Sequence, residues 1–167
     1  NDVGAPLDAI SALHFDSEPA LAAFTAVNAA GIDMLLFLQV TFTDSSVCAE
    51  IAKSLSVPLV VWTFSEARTG GRLRLNSFCG VNLASHTLTR MAKSLDNVHG
   101  APDSAECLER LGELAHAAAV VRKLADARIL VVGDHPVGFD ACNYDAQLLK
   151  SRFGIDTETT PVADFID

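Results

Sequence analysis

Hydrophobic residues occur along this chain in short continuous runs. Longer stretches, in which small groups of apolar residues are interspersed with polar ones, separate these runs. A short apolar run is typical of a strand that is buried on both faces of a sheet. The runs predict strands at Met34–Leu38, Val57–Thr63 and Arg128–Val132, and a shorter one at Ile155–Thr159. At Val98 and His99 the pattern leaves a loop and a short strand as open alternatives.

The stretches between these runs predict helices. A capping residue followed by proline in the first turn opens the first, and the pair Asp103 and Glu106 has the spacing of a capping box. Gly31 and Gly154 follow the apolar periodicity, as expected at helix ends. The predicted helices are Asp16–Ala30, Val47–Leu55, Ser77–Lys93, Asp103–Ala125 and Tyr144–Arg152.

Strands that alternate with helices through short connections are typical of parallel pairing. The predicted fold is therefore α/β, a three-layer αβα arrangement around a parallel sheet of the Rossmann or flavodoxin type. We place a domain boundary near residue 126. Residues 1–126 form the first domain, and residues 127–167 are too few to bury a core alone. They either pack on the first domain or begin a second, truncated α/β domain, and we predict the second arrangement.

Composition narrows the function classes. Half of the 167 residues are hydrophobic, so the chain has a core and is not disordered. The net charge of −9 argues against nucleic acid and anionic membrane surfaces as partners. No apolar run approaches the length of a membrane span. The four cysteines form no C-x-x-C pair, which disfavours zinc and redox motifs, and we expect a reduced, cytoplasmic protein.

In parallel sheets, ligands bind in the loops beyond the carboxyl ends of the strands. The first such loop, residues 39–46, contains hydroxyl groups and the aromatic Phe42. An aromatic among polar loop residues is either a core plug or a stacking face for a sugar. Asp44 and the neighbouring hydroxyls either cap the next helix or meet a polyol.

The second loop, residues 65–77, concentrates positive charge in an otherwise acidic chain. Arg68, Arg72 and Arg74 flank a Gly-Gly pair, and Glu66 supplies a counter-charge. Glycine permits close backbone approach, and arginine binds oxygen-rich groups through several donors. The loop is therefore either a clamp on a ligand or a neighbouring subunit, or an ordinary solvated surface loop.

The third loop, residues 133–140, contains His135, which could donate to a sugar, ligate a metal or merely cap. The loop lacks the Lys-Ser/Thr ending of a phosphate loop and the glycine spacing of a dinucleotide fold. No pair of histidines with a carboxylate has metal-ligand spacing, and no nucleophile motif occurs. The residues therefore do not make a complete active site.

Three segments resemble the L-fucose/L-arabinose isomerase superfamily, and within it the fucose-isomerase-like proteins. They are T-F-T-D-S-S (41–46), the long run from Trp62 to His86, and V-G-D-H-P-V-G-F-D-A-C-N-Y-D (132–145). Their order and spacing match the N-terminal region of the superfamily over nearly the whole chain. Members begin with an additional strand and helix before the point that matches Gly4.

The resemblance implies interconversion of an aldose and its ketose through an ene-diol, with Mn²⁺ bound by residues downstream of this chain. It also implies a trimer or hexamer in which the first domain closes over a neighbouring subunit's active site. Phe42 corresponds to the aromatic that covers the sugar. The other substrate-binding residues that the resemblance implies are Gln39, Thr43, Asp44, Arg68, Arg72, Asn76, His135 and Val137.

The function expected from the sequence is thus an N-terminal portion of an aldose–ketose isomerase. It supplies substrate-covering and subunit-interface loops, binds an aldose, contains no catalytic or metal-binding residue of its own, and is inactive alone. A non-enzymatic sugar-binding or oligomerisation module with the same fold is the alternative, and a flavin- or NAD-binding domain is a third. The sequence does not distinguish among fucose, arabinose and related aldoses.

Overall fold

The computed structural model describes residues 17–29 and 31–166. The strands and helices predicted within them are confirmed, and Val98 and His99 belong to a strand. Asp16 and Ala30, the predicted ends of the first helix, lie outside the described residues. The elements are α1 Ser17–Ala29, β1 Leu35–Gln39, α2 Ser46–Ser54, β2 Leu59–Thr63, α3 Ser77–Arg90, β3 Asp96–His99, α4 Ala105–Ala125, β4 Arg128–Val132, α5 Ala146–Phe153 and β5 Asp156–Thr160.

The chain divides into two compact units, residues 1–118 and 119–167. In the first unit, β1, β2 and β3 form a parallel sheet in that order. Because the strands are parallel and nearly in step, their carboxyl ends meet at one edge. Gln39 pairs with Thr63, and Thr63 pairs with His99. The predicted boundary at residue 126 stays a prediction.

Helices cover both faces of this sheet, so the predicted three-layer arrangement is confirmed. Alternate residues of β2 point to opposite faces. Val61 packs with Val81 and Leu88 of α3, and Val60 packs in a second cluster with Cys107 of α4. All five residues of β2 are buried, which is why this strand reads as a continuous apolar run.

The second unit contains the parallel pair β4 and β5 together with α5. Asp145 caps α5 by accepting from the N–H of Leu148 at 2.9 Å, and Gly154 ends it with a φ of 78°. Alanine at 154 would bring a Cβ within 2.8 Å of the Ala125 Cα, so glycine is required there. Leu130 of β4 is 51% exposed, although its strand is as apolar as β2.

None of the helices in the part of the chain that the structure describes combines the length and the apolarity needed to cross a membrane.

Leu88 tests the core between α3 and the sheet, because it is only 1% exposed and packs in the same cluster as Val61. Leu88→Ala should lower the free energy of unfolding by about 2–5 kcal/mol, since it removes buried methyl groups and leaves a cavity. Leu83→Ala, on the exposed side of the same helix, should change it by under ~1 kcal/mol. Urea unfolding of both variants measures the difference, and equal effects would contradict the described orientation of α3.

Candidate ligand-binding edge of the first sheet

The carboxyl edge of the first sheet gathers the polar residues that follow its strands. Gln39, Thr63 and His99 end neighbouring strands in register, and the loops 40–45 and 64–76 continue from the first two. This is the edge at which parallel α/β sheets bind ligands. The first two loops predicted from the sequence therefore do lie at one edge.

Gln39 shapes the first loop from inside the fold. It is 3% exposed, and its Nε2 donates to the carbonyl oxygen of Thr41 at 2.6 Å and to Oγ1 of Thr43 at 2.8 Å. The side chain lies against Gly80 of α3, where an added Cβ would stand 2.8 Å from Nε2. Both N–H groups of the amide are thus used within the loop. A direct contact between Gln39 and a sugar stays a prediction.

Phe42 is held at the surface by the second loop. Its backbone N–H donates to the carbonyl oxygen of Leu75 at 2.6 Å, and its ring is 50% exposed. This exposure excludes the core-plug alternative. It leaves a half-exposed aromatic residue whose backbone is held by a hydrogen bond, as is suitable for a stacking surface.

Asp44 begins the turn into α2. Its carboxylate accepts from the backbone N–H of Ser46 at 2.8 Å and from the Ser46 hydroxyl. The hydroxyl contact, followed by the backbone one, lowers the pKa of Asp44 below its usual value. Thr43 is exposed and accepts from Gln39. Asp44 therefore shapes the turn before α2 but is not the N-cap residue, which is Ser45, and it remains on the exposed surface.

Glu66 organises the second loop, and sequence reasoning treated it only as a counter-charge. Its carboxylate accepts from the backbone N–H groups of Arg74 at 2.7 Å, Leu75 at 3.1 Å and Asn76 at 2.6 Å. The Asn76 hydrogen bond is the largest cause of a pKa lowered below the usual range. Asn76 itself takes a left-handed φ of 51° and begins α3. The sequence signal that could have indicated this role was the position of Glu66, an acidic residue at the start of a glycine-containing loop that leads into a helix.

The arginines of the second loop face solvent. Arg68 and Arg72 are exposed, and among the described residues neither forms an ion pair. Arg74 interacts electrostatically with Glu66. A shallow depression of about 460 Å³ is lined by Thr69, Gly70, Arg72, Leu73 and Arg74.

A larger depression, of about 550 Å³, lies at the opposite end of the sheet, where α3 ends and the chain enters β3. It is lined by residues such as Thr89, Lys93 and Asn97. Ligands of parallel sheets bind at the other edge, so we assign the candidate site to the loop edge despite the smaller volume.

Ser65 and His99 are also at this edge, and sequence reasoning did not select them. His99 Nδ1 lies 2.9 Å from the Thr63 hydroxyl oxygen, and its Nε2 lies 3.1 Å from the Ser65 hydroxyl oxygen. The ring of Phe78 makes an edge contact with the imidazole at a centroid distance of 5.3 Å. The sequence signal that could have indicated His99 was its position at the end of a possible short strand, which the pattern left open.

His135 and Val137 belong to the second unit. His135 is exposed, with Nδ1 3.1 Å from the neighbouring Pro136 carbonyl oxygen. Val137 is 100% exposed. Their predicted contacts with a sugar stay predictions.

Metal binding needs several carboxylate, imidazole or thiolate groups at one point. Within residues 17–29 and 31–166 no group of three or more such side chains could hold an ion. The described residues therefore do not fit a manganese centre, and no chemical step can be assigned to a metal through them.

The fold and the loop edge define a three-layer α/β domain that presents an exposed aromatic, hydroxyl groups and arginines at the ligand-binding end of its sheet. Residues 13–125 match the family described as fucose/sulfoquinovose isomerase, N-terminal domain. The chain belongs to this family, as the resemblance predicted.

Similar relatives are sulfoquinovose isomerases. That of Alkalicoccus urumqiensis is 33% identical over 132 residues, which is 79% of this chain and 30% of the relative. That of Priestia megaterium is 36% identical over 124 residues, 74% of this chain and 28% of the relative. That of a Clostridium species is 28% identical over 137 residues, 80% of this chain and 30% of the relative. The chain thus spans about 30% of the length of the relatives it matches.

Glu66→Gln should loosen the second loop, because an amide cannot replace the charge-assisted hydrogen bonds of the carboxylate. Trypsin should then cleave after Arg68, Arg72 and Arg74 several times faster than in the unchanged protein. Glu109→Gln, an exposed glutamate on α4, is the control and should leave the cleavage rate unchanged. Equal cleavage in all three proteins would show that Glu66 does not hold the loop.

The same carboxylate predicts an acid transition. Because folding lowers the pKa of Glu66 below its usual 4.5, its contribution to stability is present above pH 4.5. That contribution is lost as the pH falls through the lowered pKa. NMR titration of the Arg74 and Asn76 amides should give a midpoint below 4.5, and the transition should be absent in Glu66→Gln. A midpoint at or above 4.5 would contradict the hydrogen bonds described.

Proposed function

We propose that this chain is the N-terminal domain of an aldose–ketose isomerase that acts on a sulfonated sugar such as sulfoquinovose. Family membership supports the reaction class, and the names of the relatives support the substrate. The observation that carries the proposal is Phe42, whose ring is half exposed at the carboxyl edge and whose backbone is tied to the second loop.

In this proposal the loop edge covers the sugar while the proton transfer takes place on residues outside 1–167. An aldose becomes a ketose when a proton moves between adjacent carbons through an ene-diol, and water must be kept from that intermediate. Phe42 would lie on the apolar face of the ring. Thr43 and the loop bearing Arg68 and Arg72 would donate to its oxygens, and Gln39, Asp44 and Asn76 hold those loops in place.

We further propose that the complete protein uses Mn²⁺ held by residues outside this chain, and that residues 1–167 alone are inactive. It would work in the cytoplasm as a trimer or hexamer, with the loop edge closing over a neighbouring subunit's active site. Residues 1–126 would be its first domain, and residues 127–167 would begin its second. His135 and Val137 would line the entrance to the active site.

Phe42→Ala in the full-length protein tests the covering role. About half of Phe42 is already buried, so about half of the roughly 1.5–3 kcal/mol for burying a phenylalanine is available to the sugar. With about 1.4 kcal/mol per factor of ten, kcat/KM for sulfoquinovose should fall about three- to tenfold. The assay is isomerisation in the presence of Mn²⁺, with fucose and arabinose as comparison substrates.

Phe153→Ala is the matched control, because Phe153 is similarly exposed but lies on α5 of the second unit. It should leave kcat/KM within a factor of about two. Activity of Phe42→Ala equal to that of the control would contradict the covering role. Binding of sugar by the full-length protein without isomerisation of any aldose would instead favour the non-enzymatic module.

A further inference from the structure

Three side chains at the carboxyl edge form a continuous hydrogen-bond chain that the proposed sugar contacts do not include. It runs from the buried Thr63 at the end of β2, through the imidazole of His99 at the end of β3, to the exposed hydroxyl of Ser65. Phe78, in the first turn of α3, lies against the imidazole. This series of hydrogen bonds therefore begins in the core and ends at the surface, at the start of the second loop.

The direction of this chain follows from counting hydrogens. The Thr63 hydroxyl has one hydrogen and two acceptors within reach, Nδ1 of His99 at 2.9 Å and the carbonyl oxygen of Val98 at 3.3 Å. When it donates over the shorter distance, Nδ1 is the bare nitrogen and Nε2–H faces Ser65 as a donor. When it donates to Val98, Nδ1 bears the hydrogen and Nε2 accepts from Ser65.

The state of the imidazole sets what Ser65 offers to the surface. In the tautomer with the hydrogen on Nδ1, the Ser65 hydroxyl donates to Nε2, and only oxygen lone pairs point outward. In the tautomer with the hydrogen on Nε2, Nε2–H donates to Ser65 and leaves the serine hydrogen free to be donated to a ligand. A hydrogen bond from that hydroxyl to an anion is charge-assisted and therefore strong.

The surroundings favour an anion here. The carboxylate nearest in sequence, Glu66, is occupied by the N–H groups of residues 74 to 76. Arg68 and Arg72, in the loop that Ser65 opens, face solvent and form no ion pair among the described residues. Besides Ser65, the described residues that contact the His99 ring are Thr63 and Phe78. The Cys107 thiol of α4 lies 3.6 Å from the backbone carbonyl oxygen of His99.

We propose that Ser65 and His99 form a subsite for an oxyanion group, sulfonate or phosphate, carried by the sugar. Ser65 donates to an oxygen of the anion, Nε2–H of His99 donates to Ser65 from behind, and Thr63 donates to Nδ1 and so fixes the imidazole in the required tautomer. This proposal rests on the proposed function only in taking the ligand to be a sugar. It goes further by naming the group on the sugar that Ser65 and His99 recognise.

Calorimetric titration of the full-length protein tests the subsite with three sugars. Sulfoquinovose carries a sulfonate, quinovose is the same sugar without it, and glucose 6-phosphate carries a phosphate. Ser65→Ala removes the outward donor. His99→Gln keeps a polar amide at this position but removes the imidazole that places its two nitrogens between the two hydroxyls. Each should weaken binding of the charged sugars about tenfold or more and change quinovose binding by less than about twofold.

His86→Gln is the control, because His86 is exposed on α3 away from this edge, and it should bind all three sugars as the unchanged protein does. An equal loss for charged and neutral sugars would overturn the subsite, as would no loss in either variant. Whichever charged sugar loses more affinity identifies the group that the subsite accepts.

The result is separable from the proposed function. If no sugar is isomerised but the charged sugars still depend on Ser65 and His99, the isomerase proposal fails and the subsite stands. If isomerisation occurs and depends on Phe42, while Ser65→Ala and His99→Gln bind every sugar normally, the subsite fails alone.

Discussion

The carboxylate of Glu66 is the interaction on which the loop edge depends. It binds three consecutive backbone N–H groups and thereby closes a loop that holds two glycines and three arginines. Neither glycine would meet an atom within 4 Å if it carried a Cβ, so no packing holds the loop at its Gly-Gly pair. Because Leu75 in turn accepts from the N–H of Phe42, the position of the exposed ring follows from the same anchor.

Buried polar groups, more than apolar ones, set the shape of the edge. Gln39 uses both amide hydrogens within the first loop, and Ser77 bridges the N–H and the carbonyl oxygen of Phe64 at 3.0 Å each. A buried group of this kind is costly unless every partner is in place, so each one allows few loop conformations. The apolar clusters fix the sheet and helices, while these hydrogen bonds fix where Phe42, Ser65 and His99 stand.

The sequence predicted the fold well because the fold rests on periodicity. The apolar run of β2 is a local feature, and parallel pairing follows from strand–helix alternation. The capping box predicted at Asp103 is displaced by one residue, because Ser104 accepts from the first N–H groups of α4, those of Cys107 at 3.4 Å and Leu108 at 3.0 Å. Phe42 and the arginine loop were predicted because strand ends are visible in the same pattern. Glu66 was not selected as an anchor, since its partners are eight to ten residues further along the same loop. His99 was not selected, since its contact with Thr63 depends on the register of β2 and β3. The inward orientation of Gln39 also required the position of Gly80.

The apolar run of β4 marks where periodicity and structure differ. Its residues read like those of β2, yet Ile129 and Leu130 are largely exposed, whereas Val60 and Val61 are covered by α4 and α3. A run of this kind is expected where both faces of a strand are packed. The second unit, residues 119–167, holds these two strands with α5, the end of α4 and two short 3₁₀ turns at Asp140–Cys142 and Val162–Asp164. Since the relatives are about three times longer than the matched region, the exposed strand supports the proposal that residues 127–167 begin a larger domain. Under the proposed function, the isomerase chemistry would be carried by residues of that larger protein, and the loop edge described here would contribute recognition and coverage of the sugar.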